Sequence, residues 1–215
     1  MQLVLDWDGT VTERDSLWML LDRFGDPEVF ARVEGKLVAG EISFRQVMEL
    51  EFATVTAPLD EVLDFLLREV RIRAGFAELA RAYRPLILSS GFHELIEPLL
   101  AREGVELELR ANRLDVGADG WRVRWRDAEP CPECGDLCKR RSLPGGPLAY
   151  VGDGYSDRCA ALAADRVFAR DGLADWLEES GIAYERFDDL ADVARALARP
   201  PGAAVEARAR TTGRK

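Results

Sequence analysis

The feature that most constrains this chain is an apolar run that ends in two carboxylates: Leu3-Val4-Leu5-Asp6-Trp7-Asp8-Gly9-Thr10. A short apolar run of this kind reads as a buried strand. In open α/β sheets the carboxyl end of such a strand opens onto a site. Side chains alternate along a strand, so the spacing predicts that Asp6 and Asp8 share one side. Two neighbouring carboxylates repel and need a cation or a shared proton between them. Hard oxygen donors suit Mg²⁺. Asp-Gly is also a common surface-turn pair, and on this stretch alone that reading stays open.

A sheet needs enough chain to cover it. With 215 residues and 47% hydrophobic content, the sequence can bury one domain of about 150 residues plus a smaller unit. The formal net charge of −10 argues against nucleic acid or an anionic membrane as the main partner. No apolar stretch approaches the roughly 20 residues of a membrane span. The start of the chain lacks the basic region of a secretory signal. Four cysteines do not suggest a disulfide scaffold. A cytoplasmic location is the default expectation, and a homodimer is left open.

The chain after Thr10 reads in three blocks. Helical spacing of apolar residues predicts helices over 16–24, 27–38, 43–52 and 58–70, capped at Asp15 or Ser16, Pro27, Ser43 and Pro58. Strands and helices then alternate: a helix over 75–83, a strand over 85–88 stopping at Ser89-Ser90-Gly91, and a helix after Phe92. β-like runs follow over 105–109 and 121–125. A cysteine-rich loop leads into Lys139, and Pro144 and Pro147 leave room for a turn or two of helix. A strand over 148–151 ends at Gly152-Asp153-Gly154-Tyr155-Ser156-Asp157. Helix 158–164, strand 166–169, helix 173–180, strand 182–187 and helix 190–198 complete the pattern. The fold class is α/β: a doubly wound parallel sheet with a small helical unit inserted after the first strand. The expected boundaries are a core of 1–12 and 73–199, an insert of 13–72 and a loose tail of 200–215.

Three predicted strands end in polar residues, and a parallel sheet brings those ends to one edge. Asp153 can join Asp6 as a metal ligand. Ser89 and the amides after it suit a phosphate at a helix N-terminus, and Lys139 supplies positive charge. These are the parts phosphoryl transfer needs: a nucleophile, a proton donor and charge neutralisation. Asp6-x-Asp8-Gly9-Thr10, Ser89, Lys139 and Gly152-Asp153-Gly154-x-Ser156-Asp157 resemble, in order, the four motifs of the haloacid dehalogenase-like phosphatases.

The resemblance implies a Mg²⁺-dependent phosphomonoesterase that acts on a small phosphorylated metabolite through an aspartyl-phosphate. Asp6 would be the nucleophile and Asp8 the acid and base. Ser89, Ser90, Gly91 and Lys139 would bind the phosphoryl group. Asp6, Asp8 through its backbone carbonyl, Asp153 and Asp157 would form the metal site, Asp157 as a ligand or just behind the others. The insert resembles the small cap of the phosphoserine-phosphatase branch. The loop ending in Cys138-Lys139 and the run Phe168-Ala169-Arg170 resemble the methionine-salvage branch, whose substrate is 2-hydroxy-3-keto-5-methylthiopentenyl-1-phosphate. Phosphoserine phosphatase is the alternative within the enzyme class. A phospho-aspartate signalling module without turnover is the alternative outside it. Asp8 favours the enzyme, because it sits where fast turnover needs an acid and base.

Other residues have plainer readings. His93 reads as a helix-cap or surface residue rather than a substrate contact. Trp121 and Trp125 read as packing. Cys131, Cys134 and Cys138 have metal-like spacing, but zinc usually takes four ligands. Only Cys159 or His93 could complete such a site, so the expectation is reduced thiols without zinc. In the insert, Glu51 is expected near the position where phosphoserine phosphatases place an arginine. Phe44, Met48 and Phe52 are expected to favour a partly apolar leaving group.

Overall fold

A computed structural model describes residues 1–127 and 129–199; the predicted tail from 200 onward lies outside the described residues. Seven strands form one sheet in the order β4-β3-β2-β1-β5-β6-β7. The central strand β1 (Gln2–Leu5) pairs in parallel with β2 (Leu86–Phe92) on one side and β5 (Leu148–Gly152) on the other. Beyond β5 lie β6 (Arg166–Ala169) and the two-residue β7 (Glu185–Arg186), both parallel. Beyond β2 lies β3 (Leu109–Asp115), also parallel. The far edge is β4 (Arg122–Arg124), which runs antiparallel to β3. The sheet is thus parallel except for one edge hairpin.

Alternation along the central strands produces the two-faced winding. Leu3, Leu5, Ile87, Ala149 and Val151 face one core, with Leu95, Ile96, Leu99 and Leu100 of α6 (His93–Arg102). Helices α5 (Phe76–Tyr83) and α9 (Leu190–Leu197) add Phe76, Leu79, Leu190 and Val193 to that face. Val4, Leu86, Leu88, Leu148 and Tyr150 face the other core, under α7 (Arg158–Ala161) and α8 (Asp171–Glu179).

Between β1 and α5 the chain forms four helices: α1 (Ser16–Phe24), α2 (Pro27–Val38), α3 (Phe44–Phe52) and α4 (Leu59–Glu69). The starts at Asp15 and Ser43 follow the caps read in sequence; the second helix is capped by Asp26, one residue before the Pro27 start read in sequence. Asp15 accepts from the Trp18 amide, Asp26 from the Glu28 and Val29 amides, and Ser43 forms a reciprocal capping box with Gln46. The two chain crossings into the insert lie side by side. Thr12 bridges Ile72, the Arg73 amide donates to the Val11 carbonyl at 2.8 Å, and the Glu13 amide donates to the Arg71 carbonyl at 2.9 Å.

Several expectations change. β2 does not stop before Ser89; it continues irregularly through Phe92, and α6 begins only at His93. The expected strand over 105–109 is instead a lead-in, and β3 runs through the Arg- and Asn-rich segment 109–115. There, pairing with β2 overrides weak strand propensity. Helix 158–164 shortens to Arg158–Ala161, and strand 182–187 to Glu185–Arg186.

Candidate active site

β1 ends at Leu5, but the Asp6 amide still donates to the Val151 carbonyl of β5 at 2.9 Å, whereas Asp8 lies in the turn that follows. Gly9 has φ +75°, and its amide donates to Thr12 Oγ1 at 3.0 Å. The Val11 and Thr12 amides close the turn on the Trp7 carbonyl at 2.8 and 3.0 Å. A Cβ at Gly9 would collide with the Asp153 carboxylate. Glycine is therefore required twice, for its positive φ and for the close approach.

Asp6 and Asp157 are buried at 4% and 0% exposure, and Lys139, at 1%, bridges them. Lys139 Nζ donates to Asp6 Oδ1 and, at 2.6 Å, to Asp157 Oδ1. Burial works against the lysine charge, but Asp157 and Asp6 outweigh it and hold the ammonium protonated. Asp157 is saturated: Oδ1 also accepts from Tyr150 Oη at 2.6 Å, and Oδ2 accepts from the Asp153 and Gly154 amides at 2.9 and 3.0 Å. Asp153 Oδ1 accepts from Thr10 Oγ1 at 2.7 Å. Lys139 stands on a single 3₁₀ turn, Lys139–Ser142, which matches the short connection read from Pro144 and Pro147.

Asp8 is oriented from the insert side. Its Oδ1 accepts from the Ser16 amide at 3.1 Å and from Ser16 Oγ. Its Oδ2 faces Gly91, where a Cβ would lie 3.1 Å from it and 3.1 Å from Ser89 Oγ. Ser89 Oγ accepts from the Gly91 amide at 2.8 Å. The β2 end thus faces Asp8 with a hydroxyl and a bare backbone.

One carboxyl oxygen from each of Asp6, Asp153 and Asp157 lies within 4.8 Å of the others. Burial, then the Asp157 charge, pushes Asp6 up to about 7. Burial, then the Asp6 charge, pushes Asp153 up to about 9. Burial, then Asp15, pushes Asp8 up to about 8. Crowded carboxylates raised in this way, with only oxygen donors, fit a hard divalent cation.

Residues 3–162 match the haloacid dehalogenase-like hydrolases. The chain belongs to that family. It is an enzyme of the HAD phosphatase type. Among its relatives, a 2-hydroxy-3-keto-5-methylthiopentenyl-1-phosphate phosphatase of Bacillus cereus (strain B4264) is 30% identical over 90% of this chain and 94% of its own. One from Geobacillus kaustophilus (strain HTA426) is 33% identical over 92% and 96%. Among solved structures, a substrate-bound phosphoserine phosphatase complex superposes with TM-score 0.65 at 16% identity, over 91% of this chain and 97% of that one. A phospho-aspartyl intermediate analogue of phosphoserine phosphatase gives 0.62 at 18% over the same shares. At such identities the likeness concerns the fold.

The HAD fold thus gathers Asp6, Asp8, Ser89, Gly91, Lys139, Asp153 and Asp157 at neighbouring strand ends. Ser90 contributes its carbonyl outward, to Asn112 Nδ2 at 2.8 Å. Three supporting residues carried no motif signal. Arg73, 8% exposed, donates to the carbonyls of Gly9 at 2.7 Å, Thr10 at 2.8 Å and Thr12 at 3.1 Å, stapling the turn that follows Asp8. Ser16 orients Asp8, and Tyr150 holds Asp157. Only the position of Arg73, immediately after the insert, hinted at its part. His93 pairs with Glu97 at 2.7 Å. Trp121 is fully buried, with Nε1 on the Ala57 carbonyl at 3.0 Å.

The insert meets the site through α3. Phe44 tilts against Tyr155, with ring centroids 6.3 Å apart. Met48 and Phe52 are buried, Phe52 edge-on to Phe92 at 4.7 Å, so two of the three expected substrate-facing side chains are packed inside. Arg45 is held by Glu49 at 2.8 Å and stacks over Trp125, whose Nε1 donates to the same glutamate at 2.8 Å. Glu51 is buried at 6% exposure.

Proposed function

We propose that the protein is a Mg²⁺-dependent phosphomonoesterase for a small phosphorylated metabolite, acting through an aspartyl-phosphate on Asp6. The observation that carries the reading is the pairing of a buried, Lys139-bridged Asp6 with an Asp8 oriented two residues later by Ser16. Asp6 attacks phosphorus, and its new O–P bond forms as the bond to the leaving oxygen breaks. Asp8, raised to about 8, arrives protonated and gives its proton to that oxygen. Water then attacks the aspartyl-phosphate, Asp8 takes the water's proton, and Asp6 is released. Ser89 and the backbone around Gly91 bind the phosphoryl oxygens, and Lys139 offsets their charge. Asp6, the Asp8 carbonyl and Asp153 would hold the cation, with Asp157 behind them as the residue that positions Lys139 and the Asp153 loop. Bound Mg²⁺ supplies further neutralisation of the phosphoryl charge.

The insert serves in this reading as a small cap over the site. For the substrate we favour 2-hydroxy-3-keto-5-methylthiopentenyl-1-phosphate, supported by the names of relatives that align along nearly the whole chain. The pair of a partly buried Phe44 and an exposed Tyr155 suits its thioether end better than it suits a zwitterion. The test is a panel of phosphate esters with and without Mg²⁺. Expected are hydrolysis of a generic aryl phosphate and of the methylthiopentenyl ester, arrest by EDTA, and loss of activity in Asp6→Asn by roughly 10³-fold or more. Full activity in Asp6→Asn would refute the nucleophile.

A further inference from the structure

Beside the carboxylate cluster lies a second group of ligand-type side chains that the phosphatase reading does not use. Cys131, Cys134, Cys138 and Cys159 place their four sulfurs within 4.8 Å of one another. Cys131 Sγ and Cys159 Sγ are 4.0 Å apart, and all four cysteines are unpaired. A tetrahedral Zn²⁺ with Zn–S bonds of about 2.3 Å sets its sulfurs about 3.8 Å apart. That matches the observed spacing, and it is far wider than the ~2.05 Å of a disulfide.

The loop is shaped for the purpose. The Gly135 amide donates to the Cys131 carbonyl at 2.8 Å, and Gly135 takes φ +74°, turning the chain just after Cys134. The Cys131 amide is tied to the Asp136 carbonyl at 2.8 Å, which closes the loop on itself. Amides of Glu133 and Cys134 point at Cys131 Sγ. The sequence had three ligands in one loop and no certain fourth. The fold provides it, because α7 starts beside the Lys139 turn and carries Cys159 to the loop.

We propose that these four cysteines form a structural Zn²⁺ site. Each thiol loses its proton to solvent as its sulfur binds, and the closed four-ligand set leaves no position for substrate. The site's placement gives it a task. Cys138 immediately precedes Lys139, and Cys159 lies two residues past Asp157. The metal would therefore pin together the two segments whose side chains meet in the 2.6 Å Lys139–Asp157 contact.

The test uses the full chain, purified without added metal or chelator and without a metal-affinity step. Elemental analysis should find about one zinc per chain. Replacement by Co²⁺ under reducing conditions should give thiolate-to-cobalt charge-transfer bands, which the carboxylate cluster cannot produce. Removal of zinc from the unaltered protein by a strong chelator should lower the Tm, and Zn²⁺ should restore it. Cys134→Ser and Cys159→Ser should each lose the zinc. Metal-free protein whose four thiols all react freely with a thiol reagent, or a cobalt form without charge-transfer bands, would overturn the proposal. So would zinc retained in Cys159→Ser. Metal content and spectra do not depend on the substrate, so these results stand apart from any failure of the catalytic reading.

Discussion

In the proposed reaction Asp8 gives up a proton and then accepts one, and its surroundings suit both steps. Ser16 fixes one oxygen with two hydrogen bonds, leaving the other toward Ser89 and Gly91. Burial raises the carboxyl to about 8, so its protonated form persists at neutral pH. Asp8→Asn keeps the shape and removes the proton transfer. It should slow kcat by about 10²- to 10⁴-fold, with the loss visible in both formation and breakdown of the phospho-enzyme in single-turnover measurements. Ser16→Ala should lower kcat by a smaller factor, since it removes one of the two bonds to Asp8 and leaves the amide. Equal burst and steady-state rates in Asp8→Asn and the unaltered protein would remove it from the mechanism.

Arg73 shows how a connection between elements supports the site. Its guanidinium, nearly buried at the exit from the insert, serves the carbonyls of Gly9, Thr10 and Thr12 in the turn that follows Asp8. Arg73→Met keeps much of the apolar stem and strips the donors. It should destabilise the fold by about 2 kcal/mol, read as a fall in Cm at unchanged m. A Cm unchanged within error would show that water replaces the guanidinium. The α3 helix carries the specificity argument. A phosphoserine pocket needs a cation for the substrate carboxylate, and such a pairing is strongest in a dry site. Arg45 is already engaged by Glu49 and Trp125, and Glu51 brings an acid to the same helix. L-phosphoserine should therefore have a lower kcat/KM than neutral phosphate esters of similar size. If it proved the best substrate of the panel, the phosphoserine reading would replace the one favoured here.

At the scale of the whole molecule, the sheet order is what creates a site. β1 lies between β2 and β5, so the three strand ends bearing Asp6, Ser89 and Asp153 become neighbours although they are far apart in the chain. The chain as a whole is acidic, with a formal net charge of −10. In the proposed reaction, phosphoryl binding would rely on local positive charge, from Lys139 and a bound cation, and not on the overall field. No helix among the described residues is long and apolar enough to cross a membrane.

Much of this was legible in the residue order. The caps at Asp15 and Ser43 and the helices they start are local, set by side chain–amide hydrogen bonds within three residues. The alternation of apolar runs gave the winding of the sheet, and Asp6, Asp8, Ser89, Asp153 and Asp157 were marked by ending or following those runs, Lys139 by its place after the cysteine-rich loop. What the residue order left open depends on partners distant in sequence. Strand β3 forms from Arg- and Asn-rich residues because β2 supplies its hydrogen bonds. Arg73 and Tyr150 carry no motif, and their roles exist only where the turn and Asp157 meet them. Cys159 stood alone in sequence, and only the packing of α7 beside the Lys139 turn makes it the fourth sulfur of a cluster. Local propensity acts over a few residues, whereas a coordination sphere or a buried ion pair is closed by whichever segments the sheet brings together.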